Sequence, residues 1–489
     1  MKPLLEFIDA SFEGGGGFLS GLLDEFTGKK QPLLEAKFGK ERDLFSQRYH
    51  GFSLGTKSMS IAQSRNHCIL VAPSGVGKTT GCLIPTAIRV GCGKNPASLF
   101  INDPSREIRR KLKRFFLNRG YDVPKFDPND PENSLHYNPL HWIRTAADVN
   151  KVASLIVEKA NKESKDFWAI KSKELIALII GFLLNHAPKV NQNLANVYFL
   201  LQNLAGDQKT INGLFADKST HGEWIAYKGV IANSPNTKAS IISSAIASLS
   251  FIGTDPVLCD LTSVDTMPSI SLMRQKPIAV FLTCPLSDAG YYQVLLGLMF
   301  EQVFAQVFST LPRDEENDIF LLIDELSSIP LPGLANVISN ARKFKLPILG
   351  VLQSESQLYE NYGQYNAKSI LNNATRIYMT GLQQECQSLE TALGNYQYYE
   401  DKQEKVLRTR PLMSADEIRC MPKNRALVLP NGGMRSLYVK FRPYYKVPKF
   451  VGFTQLSEPT EYEPPTPIRY KVQYLPLDKY KNLRGDEQE

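Results

Sequence analysis

Apolar runs that end in turns or polar residues alternate with helical patterns over much of this chain. The run from Cys68 to Ala72 predicts a buried strand, and the pattern from Lys78 to about Arg89 predicts a helix. Further strands are predicted at 97–103, 277–283, 319–323 and 346–353, and further helices at 106–119 and 291–308. This alternation predicts an α/β fold with a mostly parallel sheet that is covered on both faces.

The pattern changes in the middle of the chain. Between 146 and 266 the apolar positions recur at helical spacing and strand patterns are few. We interpret this stretch as an all-α domain inserted into the α/β core. The predicted organisation is an N-terminal arm at 1–60, an α/β domain at 61–145 and 267–450, the all-α insertion at 146–266, and an extended, proline-rich tail at 451–489.

Composition narrows the class of protein only slightly. Lysine and arginine outnumber aspartate and glutamate 57 to 49 in 489 residues, which weakly favours an acidic partner and equally fits ordinary solubility. The seven cysteines form no CxxC pair, as expected of reduced thiols in a cytoplasmic protein. No apolar run is long enough for a membrane-spanning helix, so we expect a cytoplasmic chain that is at most peripheral at the inner membrane.

The turn after the first strand has the pattern of a phosphate-binding loop. The sequence APSGVGKT at 72–79 fits this pattern except that Ala72 replaces the first glycine. Its backbone N–H groups would surround a β-phosphate, Lys78 would reach the β- and γ-oxygens, and Thr79 would bind Mg²⁺. The predicted nucleotide-binding residues are Ser74, Gly75, Val76, Gly77, Lys78, Thr79 and Thr80.

A second chemical signal follows the strand at 319–323, which runs directly into Asp324 and Glu325. Asp324 would join Thr79 at Mg²⁺, while Glu325 would polarise the attacking water. The acidic pair favours hydrolysis coupled to work over GTP switching, and the guanine-reading pattern Asn-Lys-x-Asp is absent, so ATP is the expected nucleotide. Gln353 ends the next strand, where it either acts at the γ-phosphate or caps a loop.

Several short motifs, taken in their order along the chain, make it resemble the type IV secretion coupling proteins, which are conjugative DNA-transfer ATPases. These motifs are DPSRE at 103–107, FDP at 126–128, YNPL at 137–140, LIDEL at 322–326, LPGL at 331–334, ARK at 341–343, VLQS at 351–354 and RPLM at 410–413. The resemblance covers about residues 50 to 450.

The resemblance implies a RecA-like motor with an all-helical insertion, assembled as a homo-hexamer that passes DNA. It also implies a relaxase or another secreted substrate and components of a secretion channel at the inner membrane as partners. Two features depart from the family. Its two N-terminal membrane helices are not found in this sequence, and its Asp-Pro-Lys-Gly-Glu motif is DPSRE here, where Arg106 would supply the missing charge.

Ring motors complete each nucleotide site with a cation from the neighbouring subunit. Arg342 is the first candidate for this catalytic role and Arg376 is the second. The basic helix that follows the second strand either faces DNA phosphates or forms a solvated surface. Its basic residues are Arg106, Arg109, Arg110, Lys111, Lys113 and Arg114.

Two other functions remain open at this stage. One is a soluble DNA pump of the FtsK or HerA type that acts in segregation, repair or defence. The other is a nucleotide-dependent adaptor that recruits substrates without moving them. Lys78, Thr79, Asp324 and Glu325 argue against the adaptor, because a scaffold has no need of a hydrolytic set.

Overall fold

The computed structural model describes residues 35–94, 96–160, 167–329, 331–400, 407–457 and 470–481. The chain divides into two compact units, of which one comprises Met1–Phe38 with Gln383–Cys420 and the other Gly39–Leu382 with Met421–Glu489. Much of the predicted N-terminal arm and most of the predicted tail lie outside the described residues. The predicted domain boundaries therefore stay predictions.

The strands are short, and those of the main sheet are mostly buried. They are β1 (Ser53–Leu54), β2 (Lys57–Ser58), β3 (Cys68–Val71), β4 (Ser98–Asn102), β5 (Lys125–Phe126), β6 (Ala279–Leu282), β7 (Ile319–Ile323), β8 (Ile348–Leu352), β9 (Thr375–Met379), β10 (Asn395–Tyr399), β11 (Leu407–Pro411), β12 (Arg425–Leu429) and β13 (Leu437–Lys440).

The α-helices are concentrated between β5 and β6. They are α1 (Ile61–Ser64), α2 (Ile84–Gly91), α3 (Glu107–Leu117), α4 (Ala146–Ala160), α5 (Phe167–His186), α6 (Leu194–Gly206), α7 (Gln208–Lys218), α8 (His221–Ile231), α9 (Pro235–Ser248), α10 (Ser250–Gly253), α11 (Pro256–Leu261), α12 (Ile270–Gln275), α13 (Ala289–Ser309), α14 (Leu334–Asn340), α15 (Ser356–Asn372), α16 (Cys386–Leu393), α17 (Ala415–Arg419) and α18 (Pro448–Thr454).

The larger unit is built around a nine-stranded sheet in the order β13-β12-β9-β3-β8-β7-β4-β6-β5. Pairing is parallel from β9 to β5, and β12 and β13 add an antiparallel edge. Every residue of β3, β4, β6, β7 and β8 is buried, as in strands covered on both faces, and only β4 has polar residues, Ser98 and Asn102, at its ends. The predicted α/β fold with a mostly parallel sheet is confirmed.

The strand order determines where functional residues can meet. β3, β8, β7 and β4 are consecutive neighbours in the sheet, so their carboxyl ends lie along one edge. In open parallel sheets this edge is where ligands bind. The segments that leave it are the phosphate loop after β3, Gln353 after β8, Asp324 after β7 and Asp103 after β4.

Between β5 and β6 the described residues contain helices α4 to α12, of which α4 to α11 fall within the predicted all-α insertion at 146–266. Its interior includes a stack of aromatic rings. The rings of Phe182 and Phe215 have centroids 4.3 Å apart, and those of Phe215 and Tyr227 are 4.2 Å apart. Among the described residues, no helix is both long and apolar enough to cross a membrane.

The smaller unit contains α16, α17 and a hairpin of β10 and β11. The hairpin strands pair in register from Asn395 with Pro411 to Tyr399 with Leu407. In the larger unit, α18 runs across residue 451, the predicted start of the extended tail.

Candidate functional site

The phosphate loop has a backbone conformation with positive φ angles at two of its glycines. Gly75 and Gly77 have φ values of 78° and 96°, a region that side chains other than glycine rarely adopt. A Cβ atom at Gly75 would meet no other atom within 4 Å, which leaves its main chain open to a ligand. The strand before the loop, β3, is fully buried and fixes the loop at the carboxyl edge of the sheet.

The helix that follows the loop begins with a wide turn. Residues Thr79–Leu83 form a π-helical turn, in which the Ile84 N–H donates to the Thr79 carbonyl, and α2 continues from there. Pro85 explains the irregularity, because it has no N–H to offer the Gly81 carbonyl one turn earlier. The Gly55 N–H donates to that carbonyl instead, at 2.8 Å. The first turn of the helix thus keeps its backbone groups paired while presenting Lys78 and Thr79.

Five predicted residues converge at the carboxyl edge of the sheet. The Thr79 hydroxyl Oγ1 donates to Asp324 Oδ2 at 3.4 Å. Lys78 Nζ lies 3.6 Å from Glu325 Oε2, and both side chains are largely buried. Gln353 Nε2 donates to the same Glu325 oxygen at 3.0 Å. The Gln353 amide thus lies beside the predicted catalytic carboxylate, and its action at the γ-phosphate stays a prediction.

Glu325 occupies an unusual backbone conformation. Its φ is 70°, in the left-handed region, which costs a residue other than glycine about 1–3 kcal/mol. The Leu326 N–H donates to the Val351 carbonyl at 2.8 Å, and the Ser328 hydroxyl donates to the Glu325 carbonyl at 2.8 Å. The Ser327 hydroxyl donates to Glu325 Oε1 at 2.7 Å. These bonds hold the strained turn and aim the carboxylate at Lys78.

Asp324 sits in a site poor in water. Burial raises the pKa of its carboxyl to about 6, and the negative charges of Asp103 and Glu325 add to this rise while Lys78 opposes it. A divalent cation would relieve this unfavourable burial of negative charge. Thr79 and Asp324 offer hard oxygen ligands, the type that Mg²⁺ takes when phosphates and water complete its shell. The residues present therefore fit Mg²⁺ held with a nucleotide.

Sequence reasoning missed the role of Asn102, the last residue of β4. Asn102 Nδ2 donates to the Asp324 carbonyl at 3.1 Å, and the Asp324 N–H donates to the Asn102 carbonyl at 3.2 Å. Asn102 is fully buried, and its Oδ1 has no hydrogen-bond partner among the residues that the structure describes. The signal in the sequence was a polar residue that ends an apolar strand, but only the sheet order identifies its neighbour.

The DPSRE turn after β4 folds back on itself. The Arg109 N–H donates to Asp103 Oδ2 at 2.8 Å, and the Ser105 hydroxyl donates to Asp103 Oδ1 at 3.2 Å. Burial raises the pKa of Asp103. Arg106 Nη2 donates to Asp127 Oδ1 at 2.9 Å. The Arg106 charge, expected to replace the one missing from the family motif, is here paired with a carboxylate.

The two arginines expected to act as fingers lie away from this edge. Arg342 is exposed in the 3₁₀ turn Ala341–Phe344, which precedes β8. It approaches His67, which precedes β3, closely enough to lower the pKa of that imidazole. Both residues therefore lie at the amino edge, about 17 Å from the carboxyl edge for five residues of strand at ~3.3 Å each. Arg376 is the second residue of β9.

Arg342 therefore lies at the opposite end of the sheet from the phosphate loop of its own subunit. The helix before β8 returns the chain to the opposite end of the sheet, as a parallel connection must. A role at a neighbouring subunit's site stays a prediction for Arg342 and for Arg376.

The basic helix α3 is amphipathic. Ile108, Leu112, Phe115 and Phe116 are buried in the core. Arg110 and Arg114 are exposed, one turn apart, while Arg109, Lys111 and Lys113 are half-buried. A stripe of two exposed arginines fits either phosphate contact or solvation, so both interpretations remain open.

Comparisons with known proteins agree with this fold. A family model for the Type IV secretory system Conjugative DNA transfer matches residues 26–462. Protein VirD4 of Agrobacterium fabrum (strain C58) is 23% identical over 395 residues, which cover 75% of this chain and 57% of that protein. The probable conjugal transfer protein TraG of Sinorhizobium fredii (strain NGR234) is 24% identical over 345 residues, which cover 62% of this chain and 48% of that protein.

Solved structures share the fold at low sequence identity. The bacterial conjugative coupling protein TrwBΔN70, in complex with sulphate, matches 85% of this chain and 96% of its own with 19% identity and a TM-score of 0.65. VirB4 of Thermoanaerobacter pseudethanolicus matches 82% of this chain and 97% of its own with 13% identity and a TM-score of 0.54. These matches confirm the RecA-like P-loop fold.

This chain spans about half the length of the curated relatives that it matches. The family model covers nearly all of its described residues. The chain belongs to the Type IV secretory system conjugative DNA transfer family.

Proposed function

We propose that this chain is an ATP-hydrolysing coupling protein that drives DNA, bound to a relaxase, toward a type IV secretion channel. The observation that carries the proposal is the meeting of Lys78, Glu325 and Gln353 beside the Thr79 and Asp324 pair. A site built only to hold a nucleotide has no need of a carboxylate that is fixed by strain and by donors on two sides.

Each residue has a distinct role in this proposal. Lys78 and the loop N–H groups bind the β- and γ-phosphates, and Thr79 and Asp324 hold Mg²⁺, which supplies charge neutralisation when bound. Glu325 orients the attacking water and accepts its proton. Gln353 holds Glu325 in place through the bond at 3.0 Å. When phosphate competes for Lys78, the Lys78 contact with Glu325 weakens and the carboxylate becomes available to water.

Relatives support the wider assignment. TrwB structures are known in complex with the ATP analogue ADPNP and with ADP and Mg²⁺. The relative TraG carries the name of a conjugal transfer protein. The family model that matches this chain describes conjugative DNA transfer. From these we infer DNA, a relaxase or another secreted protein, channel components at the inner membrane, and assembly as a homo-hexamer. Both ATP and the DNA to be moved are available on the cytoplasmic side.

Steady-state ATP hydrolysis with and without single- and double-stranded DNA tests the proposal. Lys78→Ala should abolish hydrolysis, because the ammonium neutralises phosphate charge, and Glu325→Gln should bind ATP but turn it over at least ~100-fold more slowly. Lys423→Ala, at an exposed position of the same unit, is the control and should keep the wild-type rate. Unchanged hydrolysis in both site variants, or wild-type hydrolysis that ignores DNA, contradicts the proposal.

A further inference from the structure

Residues 470–481, near the C-terminus, lie on the helical insertion. Residues 470–477 have no regular secondary structure, and Asp478–Tyr480 forms a 3₁₀ turn. The surface that holds them, named here the docking surface, is formed by side chains of the helices α6, α7 and α11 and of the turn before α6. Its members are Asn191, Asn196, Phe199, Asp217, Cys259 and Asp260. The sequence predicted an extended tail here, but nothing in its pattern indicated what the tail contacts.

The docking surface binds the main chain of this segment. The Val472 N–H donates to Asp260 Oδ1 at 2.9 Å. Asn191 Nδ2 donates to the Gln473 carbonyl at 2.9 Å. Main-chain contacts of this kind do not depend on which side chain the bound peptide carries at those positions. The surface therefore recognises an extended backbone rather than one particular sequence.

Asn196 makes the most specific of these contacts. Its Nδ2 donates to the Gln473 carbonyl at 2.8 Å, and its Oδ1 accepts from the Leu475 N–H at 2.8 Å. One side-chain amide thus pairs with a carbonyl and the N–H two residues later, as a neighbouring strand would. Asn193 Oδ1 accepts from Asn196 Nδ2 at 3.0 Å and fixes the amide in this orientation, and both residues are fully buried.

Two side chains of the segment serve as anchors, three residues apart. Leu477 and Tyr480 are buried, with 5% and 3% of their surface exposed. The Tyr480 hydroxyl donates to Asp217 Oδ2 at 3.2 Å. Most other side chains of the segment are exposed or half-buried. A segment held by two anchors and a few main-chain bonds can be displaced by a competing peptide. Its covalent attachment to the chain, rather than strong contacts, accounts for much of its binding.

Charge adds a third element of recognition. The segment carries Lys471, Lys479 and Lys481, against one acid, Asp478. Asp207 and Asp217 of the insertion interact with the charges of Lys481 and Lys479. Asp217 and Asp260 place carboxylates in direct contact with the segment, so the docking surface suits a basic peptide. Its partner chemistry is defined by strand-like main-chain pairing at 473–475, positive charge and two anchoring side chains.

We propose that the docking surface is a recognition site for an extended basic segment of the transported protein, and that residues 470–481 fill it in cis until such a segment displaces them. This inference rests on the proposed function, since a protein on its way into a channel must present an unfolded stretch of chain. Binding of the transported protein would then release residues 470–481 of the subunit from the docking surface.

The full chain with Leu477→Asp and Tyr480→Ala, called here the opened chain, tests the site. The probe is a fluorescein-labelled synthetic peptide of residues 470–481, and its binding is read by fluorescence anisotropy without ATP. The peptide should bind the opened chain at least ~10-fold more tightly than the wild type, because the wild-type surface is already occupied. Equal binding to the two chains overturns the proposal.

Variants of the surface and of the probe complete the test. Asp217→Asn, at a partly exposed position, and Asn196→Ala should each weaken peptide binding to the opened chain at least ~5-fold. Asp217→Asn keeps the test valid if Asn196→Ala impairs folding. A probe that carries Leu477→Asp and Tyr480→Ala should not bind. Binding that ignores all of these changes overturns the proposal.

A random peptide library displayed on phage tests the partner chemistry. The opened chain should enrich basic sequences with apolar residues three positions apart, and selection without that pattern overturns the assignment. The outcomes are separable from those for the proposed function. Loss of peptide binding with intact DNA-dependent hydrolysis removes this inference alone, whereas loss of hydrolysis with intact peptide binding removes the proposed function alone.

Discussion

Glu325 combines a backbone strain with a carboxylate that receives contacts from Lys78, Gln353 and Ser327. The sequence predicted the chemistry of this residue because an apolar strand that runs into two acids places them at the carboxyl end of the sheet. It could not predict the left-handed turn or the Asn102 contact, since both depend on which strands become neighbours. The sequence therefore predicted the role of Glu325, but not the backbone conformation and hydrogen bonds that orient its carboxylate.

Asn102 should act on turnover more than on ATP binding. Asn102→Asp replaces the donor that faces the Asp324 carbonyl with a charged oxygen, which disturbs the turn that positions Glu325. We expect kcat to fall about 10- to 100-fold with KM for ATP nearly unchanged. Asn118→Asp, on the exposed end of α3, is the matched control and should behave as wild type. A rise in KM with kcat intact would instead indicate a role in binding.

His67 should make the stability of the protein depend on pH. Burial, with the neighbouring Arg342, lowers the pKa of His67 to about 4. The unfolded chain protonates this residue near pH 6.5, so stability is lost as pH falls from 6.5 toward 4. His67→Asn, which tolerates the residue's left-handed φ of 58°, should gain about 2–3 kcal/mol relative to wild type between pH 7.5 and pH 4.5. Urea unfolding at the two pH values measures this, and a constant difference contradicts it.

Among the elements, the buried parallel strands were the most predictable. β3, β7 and β8 are continuous apolar runs, which a strand covered on both faces requires. β9 escaped notice because Arg376 interrupts its apolar pattern. The hairpin of β10 and β11 is largely exposed on both faces, so it carries no periodic burial that a sequence could reveal.

In the insertion, Gly253 packs closely against the neighbouring helix α6. No periodic pattern in the sequence indicates this contact. A Cβ atom at Gly253 would lie 2.2 Å from the ring of Tyr198 on α6. Gly253→Ala should therefore lower the free energy of unfolding by about 1–3 kcal/mol, because the ring has to move. Gly229→Ala, in the exposed interior of α8 with nothing within 4 Å, should raise it by about 0.5–1 kcal/mol. Chemical denaturation of both variants measures these changes. Equal changes in the free energy of unfolding would contradict the close packing of Gly253 against Tyr198.

At the scale of the whole molecule, Lys78 is the only cationic side chain that contacts Glu325 or Asp324 in the part of the chain that the structure describes. A cation from a neighbour would complete it by stabilising the charge that develops on the γ-phosphate. Arg342 is exposed at the amino edge of the sheet, so it is free to serve another subunit but not its own. Arg376 remains the second candidate.

Subunit mixing tests this arrangement. Arg342→Ala should leave ATP affinity nearly intact and lower kcat by orders of magnitude, since the contact is made chiefly in the transition state. Lys78→Ala subunits should be inactive for a different reason, the loss of phosphate binding. When the two variants are mixed, some sites pair an intact phosphate loop with an intact finger from the neighbour, and ATP hydrolysis should reappear. The control mixes Arg342→Ala with Arg342→Ala,Lys78→Ala subunits, which contain no intact finger. If co-assembly is confirmed by mass and the first mixture stays as inactive as the control, Arg342 does not act in trans and Arg376 takes its place in the same experiment.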